Sequence, residues 1–224
     1  MNHVTEFDNL TKATRRREFD DGLMDYVFGG TFLFIGLLGW FFFSSFGLRW
    51  LIAGFIKNKD ITIIVLVTIF LLFILLILGA RRTIEKIRRQ TLWKNRGFVK
   101  SLQWQVSWQI NALAVVVLIA MVIVAVWLMS NGYVIQEIAL RTLVSSTGVA
   151  TGIVFYGIGK ELGLQRYKWA GTVGGTLSTL IILMPISFSI SWLVLGSVWM
   201  IVLAVSGSWA LRKSILALRE QDSE

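Results

Sequence analysis

The chain has 224 residues, 55% of them hydrophobic and 16% charged, with a formal net charge of +9. It has no cysteine, which excludes disulfides, thiolate metal sites, CxxC redox chemistry and a cysteine nucleophile. Its single histidine, His3, sits in the N-terminal segment, so a haem-bearing span, a histidine-ligated zinc site and a Ser-His dyad within a membrane are excluded as well.

The apolar residues come in long blocks. Residues 32–46, 61–80, 112–129 and 189–210 contain no ionisable side chain. A helix needs about 20 apolar residues to cross the hydrocarbon core, and a soluble domain of this size cannot bury so many such blocks. The expected fold class is therefore all-α: a polytopic transmembrane helical bundle. Six spans are expected at about residues 23–46, 60–80, 108–129, 133–158, 169–187 and 189–211. That divides the chain into an N-terminal segment 1–22, a six-helix domain 23–211 with a basic connection 81–107, and a tail 212–224.

The stretch before the first span, "REFDDGLMDYVFGG", places Asp20, Asp21 and Asp25 beside Arg15, Arg16 and Arg17. The first span is too long for a signal peptide and lacks a small-residue cleavage pattern, so this segment is expected to be retained. Asp20 or Asp21 suits a helix cap, and acids in a first turn complement the positive end of the helix dipole. Arg16 with Asp20 and Arg17 with Asp21 have the spacing of helical ion pairs. Asp21 and Asp25 share a helix face that can dock on the basic 81–100 connection. Docking is preferred to a cation site, because a hard cation wants six or more oxygens. After the first span, residues 48–56 are apolar but short; they either prolong that helix or lie in the interface.

The connection after the second span carries Arg81, Arg82, Lys86, Arg88, Arg89, Lys94, Arg96 and Lys100 against one acid, Glu85. Further bases follow at Lys160, Arg166 and Lys168 and in the tail, whereas the opposite side holds only Arg49, Lys57, Lys59 and Arg141. The positive-inside rule then puts both termini in the cytoplasm of a multi-pass inner (plasma) membrane protein. A basic cluster of this kind attracts anionic lipid headgroups, so Arg81, Arg82, Arg88, Arg89 and Arg96, with Asp21 and Asp25, are candidate lipid or partner contacts. Topology already accounts for the positive charge and no recognition fold fits the connection, so no nucleic-acid partner is expected.

The fourth span is the least lipid-like. Arg141, Ser145, Gly148, Gly152 and Tyr156 recur at spacings of three or four and share one face, and Glu137 lies four residues before Arg141. One reading has Arg141 snorkelling outward to pair with Glu137; the other has Arg141, Glu137, Ser145 and Tyr156 lining a polar path. Gly148 with Gly152, and Gly171 with Gly175, have the GxxxG spacing of close helix packing, within one chain or in a homodimer. "SNGY" and "PISFSIS" predict tight turns joining spans three to four and five to six.

Two short motifs resemble those of an uncharacterised family of small bacterial six-helix integral membrane proteins. The first, F/Y-x-D-G-x-x-D, is matched by Phe19, Asp21, Gly22 and Asp25; the second, PR-x-G-Y/F-V, is matched in part by "NRGFVK" at 95–100. The resemblance implies the six-helix fold and no activity. Buried Ser-His pairs or paired aspartates within spans are absent from the sequence, so a non-enzymatic protein without cofactor is expected. Two functional readings stand: a transporter or channel for a small solute or ion along the fourth span, or an accessory or sensor subunit that binds anionic lipid or another membrane protein.

Overall fold

The computed structural model describes residues 16, 19–88, 90, 108–132 and 135–221. Among them are seven helices: α1 (Leu23–Phe43), α2 (Ser45–Lys57), α3 (Lys59–Ile87), α4 (Trp108–Ser130), α5 (Gln136–Leu162), α6 (Gln165–Leu180) and α7 (Phe188–Gln221). All except α2 and α6 are long and apolar enough to cross a membrane. The fold is all-α, as the apolar blocks require.

The segment 48–56 does not prolong the first helix. Ser44 is extended, with φ −73° and ψ 155°, and its side chain accepts from the Gly47 N–H at 3.0 Å, so it ends α1 and caps α2. Asn58 breaks the chain again before α3, with φ −158° and ψ 79°.

The expected fifth span, 169–187, needs correction. Helix α6 starts four residues earlier and stops at Leu180, and its 16 residues extend about 24 Å, short of the roughly 30 Å hydrocarbon core. Of the six expected spans, five are helices long and apolar enough to cross a membrane, and the sixth is this shorter helix, whose following turn at Met184 reaches back to Arg141 near the start of α5. The bases Arg166 and Lys168, read as part of a connection, lie inside α6. Gly163, at φ +67°, turns the chain from α5 into α6 almost directly, and the Leu164 N–H returns to the Gly159 carbonyl at 2.9 Å. The Asn131–Gly132 turn after α4 is present, with Gly132 at φ +71°.

Helices α1, α5, α6 and α7 form the packed centre. Between lipid-facing helices no hydrophobic driving force operates, so close approach depends on small residues. Helices α1 and α7 meet through glycines seven residues apart: Gly22 lies on Gly207, Gly29 on Met200 and Gly36 on Gly196. Added carbons would sit 2.7 Å from the Trp192 carbonyl oxygen at Gly36 and 2.6 Å from the Phe32 carbonyl oxygen at Gly196. Trp199 is fully buried, with Phe32 and Phe155 rings at 5.5 and 5.3 Å. Helix α4 packs on α5, and among the described helices α3 touches α1 and α2, leaving most of its surface outward.

Candidate functional site

The polar centre of the molecule lies where α1 begins. Gly22 adopts φ +74°, a left-handed conformation that costs glycine nothing, and its Cα lies against the Gly207 backbone, where a side chain would collide. The preceding Asp21 accepts from the Leu23 N–H at 3.1 Å, which satisfies one of the open donors of the first turn. Asp21 also receives both arms of Arg88, Nε on Oδ2 at 2.5 Å and Nη2 on Oδ1 at 2.8 Å. Both side chains are 4% exposed.

One turn on, Asp25 is completely buried. Arg166 Nη1 donates to its Oδ2 at 3.0 Å, Ser206 Oγ donates to the same oxygen at 2.8 Å, and the Tyr167 hydroxyl donates to Oδ1. The other arm of Arg166 donates to the Phe19 carbonyl oxygen, and the guanidinium carbon stands 4.8 Å from the Tyr167 ring centroid. Phe19 closes the node by an edge contact with Tyr167 at 5.8 Å. Every residue matched to the first motif, Phe19, Asp21, Gly22 and Asp25, therefore belongs to this node. It joins α1, α6, α7 and the end of α3.

Chemically the node is two carboxylates, each neutralised by a guanidinium and shielded from solvent. A buried pair of this kind is a strong fastener against loss of one partner, and its planar arginine geometry fixes orientation. Among the described residues no three histidine, cysteine, aspartate or glutamate side chains gather as a metal site.

The docking expected of Asp21 on the basic connection is made, through Arg88. Asp25 finds its arginine elsewhere, on α6. Arg166, Tyr167 and Ser206 were missed by the sequence reading. Arg166 had been counted as a loop base, and the remaining signal was an acid in a first turn with no base at helical spacing beyond it. Arg16 stands 3.9 Å from Asp20, both about half exposed; Arg17 lies outside the described residues. Arg81 and Arg82 are exposed at the end of α3, and Arg89, Arg96 and the 95–100 motif lie outside the described residues.

The residues proposed for a polar path do not converge. Arg141 is buried and donates to backbone carbonyls, Nε to Glu137 at 3.3 Å and Nη1 to Met184, so it ties the turn before α7 to α5. The expected ion pair with the Glu137 carboxylate is replaced by this backbone contact, and the Glu137 side chain is exposed. Ser145 is buried, while Tyr156 is 48% exposed on the outside of the bundle. Between them the shared face is filled by helix contacts: Gly148 against Ser178 and Leu195, Gly152 against Gly171 and Gly175. Both glycine pairs pack within one chain.

Compared with protein-family models, curated proteins and solved structures, the chain matches none of them. What stands in place of a name is the architecture: a helical, apolar bundle of the membrane-protein kind, fastened by two buried arginine–aspartate pairs.

Proposed function

We propose that this chain is a non-enzymatic accessory or sensor subunit of a bacterial inner membrane, with both termini cytoplasmic, that engages anionic lipid or another membrane protein on its α3 side. The observation that carries this reading is the division of labour among the helices. The face of α5 best suited to a solute path is taken up by packing on α6 and α7. Helix α3, in contrast, is a 29-residue arm that lies mostly outward, and its contacts with the centre among the described residues include the pair of Arg88, at its end, with Asp21 and the stacked rings of Phe34 and Phe73. Kinship with the uncharacterised six-helix family is part of the proposal, supported by the gathering of Phe19, Asp21, Gly22 and Asp25 into one node.

Two measurements on the whole chain test it. Liposomes containing the purified protein should stay tight to a broad panel of ions and metabolites, and photocrosslinkers placed along the outer face of α3 in native membranes should recover a defined protein or lipid adduct. Flux that depends on the protein and is abolished by Arg141→Ala or Tyr156→Phe would restore the transport reading.

A further inference from the structure

The Tyr156 ring stands outside the bundle, and Lys160, one turn further along the same face of α5, is exposed beside it. Lys168 comes across from α6. A carbon on Gly159 would stand 2.6 Å from the Lys168 nitrogen and 2.9 Å from its Cγ, so the half-buried stem of Lys168 lies over the residue that precedes Lys160. The two lysines therefore rise from touching backbones. Neither has an ion pair among the described residues, whose acids Asp20, Asp21 and Asp25 are paired with arginines, and the adjacent Glu161 has a contact of its own. Two like charges held side by side call for a shared counter-charge from outside the chain.

The side on which this group opens says what meets it. Helices α5 and α6 touch where Gly152 faces Gly171 and Gly159 faces Lys168. One flank of that seam is core, filled by Phe155, Ile158 and Tyr167. Tyr156 and Lys160 lie on the other flank, where Thr172, one turn beyond Lys168, is exposed like them. That outer flank is the wall a bilayer would cover. Measured along α5 from the Gly163 turn, Lys160 lies about 4.5 Å deep, Tyr156 about 10 Å and Ile153 about 15 Å. Trp169, exposed next to Lys168, is the side chain that settles among headgroups. Thr172 Oγ1 is committed to the Lys168 carbonyl at 2.9 Å, so below the phenol the flank offers mainly apolar surface. Charge, then phenol, then hydrocarbon is the order of phosphate, ester and acyl chain in a glycerophospholipid.

We infer that the outer flank of the α5–α6 hairpin is a binding site for one anionic phospholipid, its phosphate shared by Lys160 and Lys168 and its ester region at the Tyr156 hydroxyl. Basic pockets between membrane helices take phosphate headgroups in this way. Among the described helices α6 does not touch α3, so the site goes beyond the accessory reading and does not depend on it. Lys213, exposed near the end of α7, carries the same charge away from the hairpin and is the matched control.

The test is native mass spectrometry of the full chain, released from membranes and exposed to phosphatidylglycerol or phosphatidylcholine, together with photolabelling by a phosphatidylglycerol bearing a diazirine on its acyl chain. The wild type should retain one phosphatidylglycerol in preference to phosphatidylcholine, with label concentrated in residues 149–160 and 168–176. Lys160→Gln and Lys168→Gln should each lower retention about fivefold and Tyr156→Phe about threefold. Lys168→Arg, which keeps stem and charge, should bind as the wild type does, and Lys213→Gln should change nothing. An equal loss in Lys213→Gln would mean attraction by net charge alone and would overturn the inference. Equal labelling of α3 would mean annular lipid only and would overturn it too. So would a protein adduct formed in native membranes by a photocrosslinking residue in place of Tyr156, since the occupant would then be a protein. Crosslinks along α3 that recover no adduct, with the phosphatidylglycerol preference intact, would remove the accessory reading and leave this inference standing. Loss of that preference in the wild type with an α3 adduct present would do the reverse.

Discussion

Asp25 is fully buried and accepts hydrogen bonds from Arg166, Tyr167 and Ser206, so neutralising it leaves the buried Arg166 guanidinium without its countercharge. Breaking a buried ion pair from one side costs about 3–5 kcal/mol. Asp25→Asn should therefore lower the thermal unfolding temperature in detergent more than any exposed substitution, and a wild-type melting curve would refute the assignment. Tyr167→Phe removes one hydrogen bond to a charged acceptor and should cost about 1.5–3 kcal/mol in the same assay. The double variant Asp25→Asn, Arg166→Gln should lose less than the sum of its singles, because the two residues act as a unit. Arg141 illustrates the other fate of a charge near a membrane: it satisfies backbone carbonyls in a turn and needs no acid.

At the scale of helices, glycines decide which pairs approach closely, and their sequence spacing does not say which glycine bears the contact. A carbon on Gly152 would stand 2.7 Å from the Gly171 carbonyl oxygen, whereas one on Gly175 has its nearest neighbour at 3.7 Å. Gly152→Ala should therefore force α5 and α6 apart and cost about 1–3 kcal/mol, while Gly175→Ala is tolerated. Thermal unfolding of the two variants side by side checks the contrast. The same helices show how much could be read beforehand. Apolar runs locate α1, α3, α4, α5 and α7 because lipid demands about 20 consecutive apolar residues regardless of tertiary contacts. Helix α6 was expected at 169–187 and its bounds were misplaced, because it is short and begins with Arg166 and Lys168, which resemble a loop until the partner of Arg166 is known. That partner is 141 residues away in the chain, a distance no local pattern spans. The heptad of Gly22, Gly29 and Gly36 was visible in the sequence, but its meaning comes from Gly207, Met200 and Gly196 opposite.

For the molecule as a whole, the packing separates a fixed centre of α1, α5, α6 and α7 from the α2–α3 arm, and only the centre is laced by glycine contacts at several levels. Because the chain has no cysteine, spin labels placed by single substitutions report on this division directly. Label pairs across α1 and α7 should give a narrow distance distribution, and pairs across α1 and α3 a broader one. Asp21→Asn should widen the second and leave the first unchanged; equal widths throughout would show that the arm is as firmly seated as the centre. Helix α7 carries a different consequence. Its 34 residues rise about 51 Å, more than the 40–45 Å of a whole bilayer, and the contact of Gly207 with Gly22 leaves a further stretch, to Gln221, past the start of α1. This continuous rod gives the bundle a built-in mast: a helical fusion joined in register near Gln221 would stand at a fixed angle to the bundle and serve as a fiducial for single-particle imaging.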